Sequence, residues 1–252
     1  MNNWKIISHT MIGSSHQEQG KGCEDVIVAI KNEETIAIAL ADGAGSFSKA
    51  LEGATIVSER CTKWLINNFD WAYSSKDSML KHRLLFNVIK RSLDRFAKKN
   101  KIGFKELSST LLFAAIKDNR YIAGHIGDGV IGIITKDGEN VTLSEPERGE
   151  FANNTYFTTS PHVSKHFRLH RGTISNIDSF FMMSDGSADC LYNQVSNTFA
   201  PAINKFATSL AKASESEIEQ VNESLRDVME QHFRTRTNDD CSLIMLQWTN
   251  LK

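Results

Sequence analysis

VIVAIKNEETIAIALADG, residues 26–43, decides the reading of the fold. Two apolar runs, 26–30 and 35–41, flank Asn32-Glu33-Glu34, the pattern of an antiparallel hairpin. The second run is apolar at every position from Ile36 to Ala41, as a strand buried on both faces would be. After Asp42-Gly43 the period changes. Leu51, Ala54, Val57, Cys61, Trp64 and Leu65 recur at helical spacing and predict a long helix over 48–69. A second helix is predicted from an Asp77 N-cap through Leu80, Leu84, Leu85, Val88, Ile89, Leu93 and Phe96. It stops in Lys98-Lys99-Asn100-Lys101, where cations suit the negative end of a helix dipole.

Outward from this centre, a strand at 4–9 and a Gly- and Ser-containing loop at 13–22 precede the hairpin. Strands at 110–116, 121–126, 130–135 and 141–143 follow the helices. An irregular stretch covers 144–176, and Phe180-Phe181-Met182-Met183 reads as a buried strand. A helix over 214–233 opens with the capping pattern Ser214-Glu215-Ser216-Glu217, and the last strand runs over 242–248. Two consecutive helices between groups of strands make an α+β layout on mostly antiparallel sheets, not a dinucleotide-binding alternation. With three prolines, no linker and no fixed-period repeat, residues 1–252 read as a single domain.

Composition narrows the class. Lys and Arg number 29 against 30 Asp and Glu, a net charge of -1, which argues against a dedicated nucleic-acid binder. No apolar run approaches the ~18 residues of a membrane span. The first residues, MNNWK, lack the charged and apolar regions of a signal peptide, so a cytoplasmic location is expected. Cys23, Cys61, Cys190 and Cys241 are scattered, without zinc-site or disulfide spacing, and read as small buried residues.

The chemistry lies in carboxylates at strand ends. Of four Asp-Gly pairs, Asp137-Gly138 sits between strands as a hairpin turn. Asp42-Gly43 and Asp185-Gly186 instead end buried runs and lead into small residues. A carboxylate at the rim of a core needs a compensating cation or metal. Asp128-Gly129 fits a turn and a functional carboxylate equally well. Glu24-Asp25 and Asp239-Asp240 also stand beside strands. Oxygen-only donors of this kind suit Mg²⁺ or Mn²⁺, and two such ions about 4 Å apart can clamp a phosphoryl group and activate hydroxide, while helix N-caps and solvated turns would account for the same acidic pairs without a metal.

At these residues the chain resembles the metal-dependent protein phosphatases, the type 2C serine/threonine phosphatases. Glu24-Asp25, Asp42-Gly43-Ala44-Gly45, Gly127-Asp128-Gly129, Ser184-Asp185-Gly186 and Asp239-Asp240-Cys241-Ser242 follow the family's order over nearly the whole chain. Gly13-Ser14-Ser15-His16, Cys23-Glu24-Asp25 and residues 149–153 are similar to a compact bacterial branch. The resemblance implies two antiparallel sheets in a sandwich flanked by pairs of helices. It implies two Mn²⁺ or Mg²⁺ ions, with a third, weaker position. Asp42 would bridge both metals and the Gly43 carbonyl would bind the second. Asp185 and Asp239 would hold the first, and Glu24 and Asp25 the second, partly through water. Asp128 would lie at the third position. A metal-bridging hydroxide would attack phosphorus directly, without a phosphoenzyme. The substrate would be phosphoserine or phosphothreonine in a protein, with a cognate Ser/Thr kinase as partner and no nucleic acid or membrane. The chain would be a monomer.

Three positions depart from the family. Gly20 stands where many members carry a phosphate-gripping arginine, so His16 or Lys21 is expected to bind the substrate phosphate, with Arg148 a more distant substitute. Ala44 replaces a histidine that acts as general acid in some members. Asp240 replaces the usual asparagine. The missing arginine and histidine motivate an alternative, a catalytically weak module binding phosphoproteins or a regulatory partner. The presence of Asp42, Asp185 and Asp239 favours the enzyme. His162, His166 and His170 lie four apart, but the pattern around them is not helical and a zinc site is not expected.

Overall fold

The structure is a computed structural model. It describes residues 4–74, 78–147 and 155–249, with the side chains of 78–83 also excluded. Asp77, Arg148 and residues 149–153, and the Leu80 side chain, lie outside the described residues. The chain forms two compact units.

One unit comprises residues 24–128 and 146–173. Its sheet contains β2 (Val26–Lys31), β3 (Thr35–Ala41), β4 (Leu111–Lys117), β5 (Arg120–Ile126) and β8 (Arg168–Thr173), in the order β2-β3-β4-β5-β8, all antiparallel. The hairpin turn forms as expected: the Asn32 side chain accepts hydrogen bonds from Glu34 N–H (3.0 Å) and Thr35 N–H (2.7 Å). Two helices, α2 (Ala50–Ser74) and α3 (Ser78–Asn100), belong to this unit. Alternate residues Ala37, Ala39 and Ala41 of β3 join a core with Val57, Cys61 and Leu65 of α2 and Ile89 and Leu93 of α3. Small side chains on β3 let α2 approach the sheet closely.

The other unit comprises residues 1–23, 129–145 and 174–252. Its sheet contains β1 (Trp4–Met11), β6 (Val130–Thr135), β7 (Asn140–Ser144), β9 (Ile177–Met183) and β12 (Cys241–Trp248), in the order β1-β12-β9-β6-β7, again antiparallel. Asp137-Gly138 forms its turn, with Gly138 at φ +81°. A short ladder pairs β10 (Tyr192–Asn193) with β11 (Thr198–Phe199). Its helices are α1 (Ser14–Glu18), α4 (Asp185–Leu191), α5 (Ala202–Lys212) and α6 (Ile218–His232). Ile203, Phe206 and Leu210 of α5 and Leu225 and Met229 of α6 pack on Ile7, Phe181, Leu243 and Met245. A capping box at Ser214 and Glu217 leads into α6, as the sequence predicts.

Among the described residues, two antiparallel five-stranded sheets and six helices make the fold α+β, as expected. Three expectations change. The loop at 13–22 contains α1, which starts at Ser14 after an extended Gly13. The stretch at 144–176 contains β8, an edge strand of mixed polarity whose order comes from pairing with β5. Helices α4 and α5 lie between the predicted strand at 180–183 and the predicted helix at 214–233, a stretch for which the sequence predicts no element. Cys61, Cys190 and Cys241 are buried and Cys23 is half-buried, consistent with small packing residues. Burial pushes the Cys61 thiol pKa well above its ordinary value.

Candidate metal centre

Strand register gathers the acidic residues of each sheet on one edge. In the first unit Val26 pairs with Ala41, Leu40 with Leu112, and Leu111 with Ile126. The start of β2, the end of β3, the start of β4 and the end of β5 therefore share an edge. Glu24 and Asp25 precede β2, Asp42 follows β3 and Asp128 follows β5. A carboxylate oxygen of Asp42 and one of Asp128 lie within 4.8 Å of each other. Asp25 is buried, and Glu24, Asp42 and Asp128 are half-buried.

Backbone contacts hold this edge in place. Gly43 N–H donates to the Glu24 carbonyl (3.1 Å), and Ala44 N–H donates to the Ser108 carbonyl (3.0 Å). A Cβ on Gly43 would lie 2.9 Å from the Glu24 carbonyl oxygen, so the close approach of the two motifs needs glycine. Gly127 adopts φ +112°, and a Cβ there would meet Thr110 Cγ2 at 2.6 Å. Thr110, between β3 and β5, thus packs against the residue that precedes Asp128. Thr155 donates a short hydrogen bond to the Asp128 carboxylate.

Beside it, Glu147 accepts from His166 Nδ1 (3.0 Å) and faces Arg168 Nε (3.6 Å), and its N–H donates to the Gly127 carbonyl (3.0 Å). His166 stacks on Tyr156 with ring centroids 3.4 Å apart. Arg168 in turn lies 3.0 Å from His125 Nδ1. Desolvation first, then the Arg168 and His170 charges, push the pKa of buried His125 well below its ordinary value. His162 has a left-handed backbone, His166 follows a single 3₁₀ turn and His170 sits on β8, so the three do not share a helix face.

In the second unit Met11 pairs with Cys241, Leu243 with Met183, and Met183 with Val130. This edge carries Gly13, Asp185, Asp239 and Asp240. Asp185 opens α4 after a Ser184 N-cap and accepts from Gly186 N–H (2.7 Å). Ser242 N–H donates to Ser184 Oγ (2.9 Å), which ties the start of β12 to the end of β9. Asp239 is exposed, whereas Asp240 is 3% exposed and bonded to Gly13 N–H (2.7 Å) and His16 Nδ1 (2.9 Å).

His16 is expected on the substrate phosphate from sequence. In the structure it is buried at 9% exposure, with Nδ1 directed at Asp240. Lys21 is half-buried, and its N–H donates to the His16 carbonyl (2.9 Å). Sequence reasoning missed Thr110, Thr155, Glu147 and the use of Asp240. The one available signal was Gly127, whose place before Asp128 hints at a special backbone turn. An oxygen-only donor set at a polar rim, with two carboxylates close enough to share a cation, fits a hard divalent ion.

The family model for protein phosphatase 2C matches residues 12–230. Serine/threonine-protein phosphatase 3 of Escherichia coli (strain K12) is 22% identical over 253 residues, covering 97% of this chain and 98% of that protein. Among solved structures, serine/threonine phosphatase Stp1 from Staphylococcus aureus superposes with a TM-score of 0.63 at 15% identity, covering 98% of this chain and 95% of that one. The catalytic domain of the serine threonine protein phosphatase PstP, in complex with 2 manganese ions, gives a TM-score of 0.64 at 15% identity, covering 98% and 99%.

Proposed function

This chain belongs to the protein phosphatase 2C family, and we infer that it is a metal-dependent protein phosphatase acting on phosphoserine and phosphothreonine. The observation that carries the reading is the sheet edge bearing Glu24, Asp25, Asp42 and Asp128, with Asp42 and Asp128 oxygens within 4.8 Å. Two carboxylates so close repel unless a cation or proton lies between them. The proposed ligand set is Asp42 and the Gly43 carbonyl, with Glu24 and Asp25 at the second ion. Asp185 and Asp239 would serve the first ion, and Asp128 a third. When bound, Mn²⁺ or Mg²⁺ supplies Lewis-acid polarisation of the phosphoryl oxygens and acidifies water.

The chain's own residues orient these ligands. Thr110 holds the Asp42 main chain, Thr155 holds Asp128, and the hydrogen bonds between Ser184 and Ser242 fix the start of α4, where Asp185 sits. The reaction adds water to phosphorus and breaks the P–O bond, and the side-chain alcohol leaves with a proton. Lys21 is the proposed contact for the substrate phosphate, since Gly20 offers no side chain. We read residues 1–252 as one catalytic domain, active as a cytoplasmic monomer that reverses the work of a Ser/Thr kinase. No helix among the described residues is long and apolar enough to cross a membrane.

The test is hydrolysis of phosphoserine, phosphothreonine and phosphotyrosine peptides with Mn²⁺, Mg²⁺ or EDTA. Turnover of the first two, abolished by EDTA, supports the reading. Mn²⁺ binding without turnover of any peptide would contradict it and favour the phosphoprotein-binding alternative.

A further inference from the structure

Asp239 and Asp240 are adjacent carboxylates with opposite surroundings. Asp239 is exposed, whereas Asp240 is 3% exposed. A buried carboxylate is costly unless donors compensate it. Asp240 has such donors on both oxygens. Gly13 N–H donates to Oδ1 at 2.7 Å, and His16 Nδ1 lies 2.9 Å from Oδ2. The carboxylate can only accept, so Nδ1 carries the proton. His16 is itself 9% exposed, so this charge-assisted bond is screened from water.

The same residue touches the neighbours of both proposed ligands in its unit. Asp240 N–H donates to Asp239 Oδ1 at 2.9 Å and sets the rotation of that carboxylate. A Cβ on Gly186, the residue after Asp185, would lie 2.3 Å from the Asp240 carbonyl oxygen. The segment before it is fastened to the same loop. Ser15 N–H donates to the Asn238 carbonyl (3.0 Å), and Ser14 Oγ donates to Asn238 Oδ1 (2.9 Å). A Cβ on Gly13 would fall 2.3 Å from the Asp239 carbonyl carbon. The stretch from Gly13 to His16 and residues 238–240 therefore interlock through backbone contact as well as through the buried pair.

We propose that His16 and Asp240 form a brace that positions Asp239 for metal binding, so that the second carboxylate of this motif is not a ligand and His16 is not a substrate contact. The proposal rests on the metal-dependent phosphatase reading. Partners that orient a metal ligand typically change affinity by about 10–100-fold when lost. A substrate contact would instead change KM.

The experiment uses the full chain, with Mn²⁺ affinity from calorimetry and kcat and KM for a phosphopeptide at saturating Mn²⁺. The variants are His16→Ala, His16→Asn and His16→Leu. Asn keeps an N–H donor near the Nδ1 position, and Leu has the same size without it. Expected are Mn²⁺ binding weakened about tenfold in His16→Ala and His16→Leu, affinity largely restored in His16→Asn, and an unchanged KM. If His16→Ala does not fold, the Asn and Leu variants alone decide. Equal affinity in those two, or a raised KM at saturating Mn²⁺, overturns the brace. In that case a wild type that binds Mn²⁺ and turns over leaves the phosphatase reading standing. A wild type that binds no Mn²⁺ overturns both.

Discussion

Thr110 clamps the main chain of Asp42 from both sides: Asp42 N–H donates to Thr110 Oγ1 at 2.9 Å, and Thr110 N–H donates to the Asp42 carbonyl at 2.8 Å. Thr110 is 1% exposed, so the hydroxyl is a buried acceptor at the point where β3 gives up its central carboxylate.

Thr110→Val keeps the shape and removes that acceptor. An N–H deprived of its partner in a buried setting costs about 1–3 kcal/mol. Urea denaturation should show a loss in this range, and kcat should fall as Asp42 loses its anchor. Thr110→Ser, which keeps the hydroxyl, should recover most of the activity. Equal stability and kcat in the Val variant and wild type would remove Thr110 from the account.

Gly127 offers a second test of the same edge. Its φ of +112° disfavours a side chain, and a Cβ would lie 2.6 Å from Thr110 Cγ2. Gly127→Ala should destabilise the protein by about 1–3 kcal/mol through strain and overpacking. It should also weaken metal-dependent turnover, because Asp128 is the next residue. Wild-type stability by thermal denaturation would show that the turn relaxes without cost.

His125 predicts a pH dependence. Its folded pKa lies well below the ordinary 6.5, chiefly through burial, with Arg168 and His170 adding to the effect. Below about pH 6.5 the unfolded chain binds a proton at this site that the folded chain refuses, so stability falls as pH drops from there toward the folded pKa. His125→Gln removes this proton uptake. The stability lost between pH 7.5 and pH 5.5, measured by urea denaturation, should be smaller in the variant. An equal or larger loss would contradict the assignment.

Much of this was legible in the sequence. Asp42 and Asp185 stand out because each ends an apolar run and no strand returns at once. That signal reflects burial, which a linear pattern carries well. Helix α5 was legible but missed: Ile203, Phe206, Ala207 and Leu210 recur at helical spacing and are all buried. Strand β8 was not legible, since Arg168-Leu169-His170-Arg171-Gly172-Thr173 has no alternation and owes its order to β5. The polar clamps were invisible for a related reason. Thr110 bonds across 68 residues to Asp42, and His16 across 224 to Asp240, distances over which no local pattern specifies a partner. Registers and turns bring such residues together, and those exist only once the sheets form.

If the strand-end carboxylates hold catalytic metal, losing one of them abolishes turnover without unfolding the chain. The most direct measurement is hydrolysis of p-nitrophenyl phosphate by wild type, Asp42→Ala and Asp239→Ala, with Mn²⁺, Mg²⁺ or EDTA, each protein checked for folding by circular dichroism. The account predicts metal-dependent turnover in wild type, none with EDTA, and none in either folded variant. Near-wild-type turnover in folded Asp42→Ala or Asp239→Ala would contradict it.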